Sequence, residues 1–431
     1  MVQSFVSKND SQEKQPSENN CGLELTLAYG GFPVVPPPQD DANHSKNVGH
    51  DQSNKHEGLD LGLGTLLLHL IPPSQPVHHL APSLDTASLI NAIGRDISIT
   101  CLLRCPRTTY GSIASLNRSF RELIRSGEIY KLRHDNQVIE YWVYFSCHFA
   151  KWEAFDPSTK KWMNLPIIES DHCFQYYDKE SVVVGTQLLL LGKDVMGHAT
   201  YTYNLLTNSW TLGKKMIEPR CLFGSASLNH IAIFAGGMNQ SEEIVDTVEL
   251  YDSRSGNWEM LPRMIKPRKM CSGVYMDGKF YVIGGVGGGG ISLTCGEEYD
   301  FDTKKWTEIP NMSPVDANGG WSAPPLVAVV DNELYAGDWG EMELKKYEKE
   351  RKEWDVIGTL PERAHSVNGW GVGFTGCGNR IIIIGGPRKD DNSVVEIYSW
   401  IPSKGMPEWS LIGHKRCSNH NFVYNWVVMG C

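Results

Sequence analysis

The rhythm of apolar and polar positions changes twice along the chain. From Met1 to about Pro82, Ser, Asn, Gln, Pro, His and charged residues prevail and no hydrophobic period is sustained. Burial there cannot offset ordering entropy, so 1–82 is expected to be a disordered tail. Between Ser83 and Arg133 the period becomes helical. Asp96 is placed to cap a helix carrying Ile97, Ile99, Leu102 and Leu103, which Cys105-Pro106 ends. Ile113, Leu116, Phe120, Leu123 and Ile124 then form one stripe at helical period, closing at Ser126-Gly127. A segment of this size, 84–133, has a small core that is marginal unless it docks on something, so a partner is expected.

From 138 to 431 the pattern turns to short apolar runs ending in glycine, such as Ile231-Ala232-Ile233-Phe234-Ala235-Gly236-Gly237, Phe280-Tyr281-Val282-Ile283-Gly284-Gly285 and Ile381-Ile382-Ile383-Ile384-Gly385-Gly386. Two further runs are degenerate and end in Leu191-Gly192 and Ala336-Gly337. Trp162, Trp210, Trp258, Trp306 and Trp354 follow one another at intervals of 48 residues, and Trp409 comes 55 later. Seven positions before each of the first five stands Phe155, Tyr203, Tyr251, Tyr299 or Tyr347, while Tyr398 precedes Trp409 by eleven across a longer turn. Each unit reads as four short strands, one blade of a propeller. The glycines belong where neighbouring blades crowd, and the aromatics fill the widening space between twisted sheets. Six tryptophans predict six blades. The first has too little chain before Trp162, so the strand-like end from Asn421 to Met429 is expected to pair with it and close the ring.

Composition sharpens this picture. The 42 Gly, 13 Trp and 17 Tyr fit a mainly β body. A formal net charge of −10 lacks the basic surplus that a phosphate backbone requires, which argues against nucleic acid as a partner. Eleven scattered cysteines, without a C-x-x-C pair, suggest packed thiols in a reducing compartment; Cys101 and Cys105 have no second pair to complete a zinc site. The longest apolar run, Thr65 to Ile71, is too short to span a bilayer, so neither secretion nor membrane insertion is expected.

The diglycine, Tyr and Trp at this spacing resemble the kelch repeat from about Tyr141 to Cys431, and the stretches Asp96 to Arg107 and Ser115 to Leu123 look like an F-box. Together they resemble plant F-box/kelch-repeat proteins. One departure is that Ile93-Gly94-Arg95 stands where the F-box usually opens with Leu-Pro. The resemblance implies a six-bladed kelch β-propeller preceded by a small α-helical F-box-like segment. It also implies a non-catalytic substrate receptor of a Skp–cullin–F-box ubiquitin ligase, acting in the nucleus and/or cytoplasm. A Skp-type adaptor, through it a cullin, and a protein substrate are the implied partners. A propeller scaffold without ubiquitin coupling remains open, and more distantly a kelch-fold metal enzyme. The Glu-x3-Asp-x3-His iron pattern of nitrile-specifier proteins is broken here, since Glu242 and Asp246 are followed by Leu250, and no cofactor or metal is expected. In the tail, Leu23-Glu24-Leu25-Thr26-Leu27 and Leu59-Asp60-Leu61-Gly62-Leu63 resemble the LxLxL motif that recruits Topless-type corepressors.

Two sets of site residues follow. Ile97, Leu102, Leu103, Leu116 and Phe120 are expected to present an apolar surface to the adaptor, with a role in the segment's own core as the alternative. For the substrate, one mouth of the propeller collects the loops after the glycines and those leading into each new blade. Pro219-Arg220 and Pro267-Arg268 repeat there, Asn239, Trp339 and Arg388 follow the glycines, and Asn318, Trp321, Asn368 and Trp370 occupy the connections richest in glycine and aromatics. Arg220 and Arg268 are either the receptors of an acidic or phosphorylated degron or architectural pairs with neighbouring blades.

Overall fold

The computed structural model describes residues 89–90, 92–148, 151–314, 323–362, 369–385, 394–416 and 423–431. The chain divides into two compact units, one over 4–101 and one that includes 102–431. In the first, the described residues are dominated by the start of helix α1, Gly94–Leu103. Asp96 lies inside its first turn, not before it. Ser98 Oγ donates to the Gly94 carbonyl at 2.5 Å and Thr100 Oγ1 to the Asp96 carbonyl at 2.9 Å, the local back-bonds that short polar side chains make in helices.

The second unit begins with three helices: α2 (Tyr110–Leu116), α3 (Arg118–Arg125) and α4 (Glu128–Asp135). The sequence pattern predicts one helix through Asn117, and the structure breaks it there. Asn117 is extended (φ −158°, ψ 174°) and its side-chain oxygen accepts the Phe120 amide at 2.9 Å, so it caps α3 instead of continuing α2. Gly127, at φ +80°, makes the left-handed turn into α4.

The described remainder is a six-bladed propeller of four-stranded antiparallel sheets, plus a ribbon of Arg220–Cys221 with Met238–Asn239. From the axis outwards, the second blade runs Glu180–Val184, Gln187–Asp194, Gly197–Asn204 and Ser209–Leu212. The third runs Gly224–Leu228, Ile231–Ala235, Val248–Asp252 and Asn257–Leu261. The fourth comprises Ser272–Met276, Lys279–Ile283, Gly296–Asp300 and Lys305–Ile309. Leu326–Val330, Glu333–Asp338, Glu343–Glu348 and Glu353–Thr359 make the fifth, and Gly373–Cys377, Arg380–Gly385, Val394–Trp400 and Ser410–Arg416 the sixth.

The aromatic repeat is a cross-strand pair. Phe155 faces Trp162, Tyr203 faces Trp210, Tyr251 faces Trp258, Tyr299 faces Trp306 and Tyr347 faces Trp354, each directly opposite in register. In the sixth blade a bulge puts Tyr398 opposite Leu411, and Trp409 lies 6.1 Å from Trp400 instead. Each indole N–H also needs an acceptor. Trp210, Trp258 and Trp306 donate to the carbonyls of Pro166, Lys214 and Pro262 at 2.9, 3.0 and 2.8 Å, in the segment that leaves the preceding blade. The tryptophans therefore join adjacent blades. The diglycines do the same by closeness: Gly237 donates to the Arg268 carbonyl at 2.7 Å, and a β-carbon on Gly236 would lie 2.4 Å from that oxygen.

The first blade contributes Tyr141–His148, Lys151–Asp156 and Lys161–Asn164, and its axial strand is Asn425–Gly430. Tyr141 pairs with Gly430 and Ser146 with Asn425, so the chain end supplies one strand and closes the ring. Lys415 of the sixth blade bonds Glu153 of the first and lies over the Trp162 ring, sealing the same seam. Removing 425–431 should leave Val143 and Phe145 without their pairing partner and abolish cooperative unfolding. A truncated chain with the parent's single sharp melt, by circular dichroism, would refute closure by this strand.

Candidate functional site

The six axial strands begin around a cavity of about 270 Å³ at one end of the central channel. Every blade contributes to its wall: Glu180 and Ser181, Phe223 and Ser225, Cys271 and Ser272, Pro325 and Leu326, Phe374 and Thr375, Asn425 and Trp426. Trp370 and Tyr424 stand in the connections just before the last two strands. The lining is aromatic and hydroxylic. Some hydroxyls are already bonded to backbone, as Ser272 Oγ is to the Pro325 carbonyl at 2.6 Å. Glu180 Oε1 accepts the Leu222 amide at 2.5 Å, yet burial pushes this carboxyl up to about 8. Burial also draws Lys179 down to about 8, and its ammonium donates to the Gln175 and Tyr177 carbonyls at 2.7 and 2.8 Å. Lys179 thus fastens helix α5, His172–Tyr176, beside the mouth.

Of the expected rim residues, Trp370 lines this cavity. Trp339 packs on the core shared by the fifth and sixth blades. Asn239 organises its own loop, accepting the Ser241 and Glu243 amides at 2.9 Å, and borders a separate recess of about 470 Å³ with Glu218 and Gln240. Asn318, Trp321, Asn368 and Arg388, like the two leucine patches of the tail, lie outside the described residues.

The expectation for Arg220 and Arg268 needs correction: neither side chain is exposed on the rim. Arg220 bonds Glu249 at 2.6 Å and Arg268 bonds Glu297 at 2.6 Å, with all four side chains fully buried. Nor do the pairs bridge neighbouring blades, because each arginine meets the third strand of the blade it leads into. Glu249 also accepts the Ile217 and Glu218 amides at 2.8 and 3.1 Å, and Glu297 the Ile265 and Lys266 amides at 2.7 and 3.0 Å. Arg220 reaches the Phe234 carbonyl and Arg268 those of Gly284 and Cys295. A buried charge is tolerable only when paired and bonded to this degree, and an arginine so engaged is not available to a ligand.

The apolar docking stripe also divides. Leu102, Leu103 and Phe120 are buried, which corrects the expectation that all five residues are presented together. Ile97 and Leu116 are 55% and 52% exposed. Sequence periodicity locates the apolar residues but not which of them other helices cover.

The helices of the second unit are clamped to the first blade. Arg133, fully buried, donates to the Leu103 and Cys105 carbonyls at 3.2 and 3.0 Å, to Tyr110 at 2.9 Å and to Glu140 at 2.7 Å. Arg107 donates to Tyr144 OH at 3.0 Å and to the Glu140 carbonyl at 3.1 Å, its guanidinium 4.8 Å from the Trp142 ring centre. Glu140 in turn exchanges backbone bonds with Cys431 at 2.9 and 3.1 Å. These bonds lie at the Gly430 end of the closing strand, while Asn425 at its other end lines the cavity. At ~3.3 Å per residue the clamp and the cavity are roughly 17 Å apart along that strand, on opposite faces of the propeller.

Two segments, residues 219–265 and 267–313, match the Kelch motif. Over 359 residues the chain is 54% identical to the Arabidopsis thaliana F-box/kelch-repeat protein At1g26930, covering 81% of this chain and 85% of that one. The chain belongs to the F-box/kelch-repeat family. It is also 58% identical to the Arabidopsis F-box/kelch-repeat protein SKIP11, covering 81% and 76% of the two chains. In general terms, an F-box/kelch-repeat protein is an F-box substrate adaptor, with the kelch propeller as its larger part.

Two outcomes test the scaffolding of this F-box/kelch-repeat protein. Arg268→Met leaves Glu297 as an unpaired buried charge and should cost about 3–5 kcal/mol in denaturant titration; a midpoint within error of the parent's would show that the pair is dispensable. Arg133→Met should raise amide hydrogen exchange across 110–135 and at the 141–148 strand while leaving the fourth blade protected. Equal exchange in variant and parent would show that the clamp does not hold the helices.

Proposed function

We propose that this chain is the substrate-recognition subunit of a Skp–cullin–F-box ubiquitin ligase: the helical segment docks the adaptor and the propeller mouth takes a protein substrate. The observation that carries this reading is the separation of the two surfaces. The helices are clamped at one face of the propeller, and the aromatic cavity opens at the other, so both partners can bind at once. Each unit offers its own adaptor anchor, Ile97 in the first and Leu116 in the second, since docking into a partner's apolar groove uses exposed aliphatic residues. The role is non-catalytic, with ubiquitin transferred by other subunits of the assembly. The receptor works in the nucleus or cytoplasm, in keeping with scattered cysteines that form no compact disulfide framework in the sequence. The leucine patches of the tail would add a corepressor contact independent of the ligase.

Co-purification with a Skp-type adaptor is the test, because a plain propeller scaffold would not retain one. The double variant Ile97→Asp, Leu116→Asp changes exposed positions only, so its stability should stay within about 0.5 kcal/mol of the parent. Adaptor capture should fall at least tenfold. Undiminished capture would remove these residues from the docking surface.

A further inference from the structure

With both repeated arginines consumed by Glu249 and Glu297, the mouth has a different electrostatic character from the one their sequence positions suggest. Among the described residues lining the cavity, Lys179 is the one basic and Glu180 the one acidic side chain. The Lys179 ammonium faces α5, where it holds two carbonyls and lies 5.3 Å from the Phe174 ring centre. Among the described residues Glu180 makes no hydrogen bond to a cation, although the Arg220 charge acts on it. It accepts from the Leu222 and Phe223 amides, and the nearby Arg220 belongs to Glu249. A carboxyl set into a wall of rings and hydroxyls, and pushed up to about 8 by burial, ionises more readily once a ligand brings a positive charge beside it. Trp426 comes from the axial strand on one side of Glu180 and Phe223 from the position just before the strand on the other, and Trp370 completes the aromatic lining. Aromatic faces attract cations, and a guanidinium, being planar and weakly hydrated, stacks on them better than an ammonium does. At about 270 Å³ the space suits one long side chain, below the range of cavities that enclose whole small molecules.

We propose that the mouth recognises a basic segment of its substrate, an arginine or lysine side chain seated against Glu180 among Phe223, Trp370 and Trp426. This rests on the receptor reading and names the substrate class that such a receptor would take. It replaces the acidic or phosphorylated degron that surface-exposed Arg220 and Arg268 would have favoured.

The probe is a bead-displayed library of random octapeptides, with and without phosphoserine, screened against the full chain co-purified with a Skp-type adaptor. The parent should enrich peptides carrying arginine or lysine at one position at least tenfold. Glu180→Gln, which keeps an oxygen for the Leu222 amide, should lose that enrichment while retaining the parent's melting temperature and adaptor capture. If Glu180→Gln melts early, Glu180→Asp provides the same comparison with the charge withdrawn from the cavity. Enrichment of acidic or phosphorylated peptides, basic enrichment that survives Glu180→Gln, or no enrichment at all would each overturn the proposal. Acidic peptides whose capture is lost in Trp370→Ala would leave the receptor reading intact and reject only the charge class. A parent that binds basic peptides but no adaptor would reject the receptor reading and keep the ligand.

Discussion

Pairing of Asn425–Gly430 with Tyr141–His148 is the constraint on which the other features depend. A ring of sheets has no free edge only when its last member is completed, and here completion joins residues almost three hundred positions apart. The same strand supplies Asn425 and Trp426 to the cavity at one end and, through Cys431, meets the helical clamp at the other. Loss of that pairing would open the seam, remove one sixth of the cavity wall and free the backbone against which Glu140 is held.

Between the blades the work is divided among repeated contacts. Indole N–H groups reach the carbonyls of the preceding blade, diglycines allow the next lead-in segment to approach within hydrogen-bond distance, and buried Arg–Glu pairs fix that segment to its own sheet. The two ion pairs lie 48 residues apart and use the same atoms in the same way, including two backbone amides on each carboxylate. Such recurrence marks scaffolding, because a binding residue has no reason to be copied with its whole bonding environment. The consequence is that Arg220 and Arg268, cations that look available in the sequence, are spent internally.

Helices α2 to α4 are tied to the propeller by a connected set of polar bonds. Arg107, Arg133, Tyr144 and Glu140 are worth their desolvation only as a connected group, since a partly satisfied buried network destabilises. Their connection lets three short helices persist beside the propeller, where α2 to α4 alone would bury too little to stay folded. It also holds α2 to α4 against the first blade.

The sequence by itself determined the number of blades, the placement of Tyr and Trp and the need for closure, because each is a local pattern repeated at constant spacing, and repetition shows in a single chain. It also located the helical residues, though not the break at Asn117, where a side-chain cap competes with an otherwise continuous apolar stripe. Trp370 was legible from its Gly- and aromatic-rich connection. Phe223, Glu180 and Trp426 were not, since they lie at the starts of three strands that are distant in sequence and meet only around the axis; comparing the first residues of each axial strand was the one available signal. Only the tertiary structure decided which charged groups are buried together. Arg220 and Glu249, or Arg268 and Glu297, are each 29 residues apart, and whether an arginine points to solvent or into its own blade depends on a partner that no local period reveals.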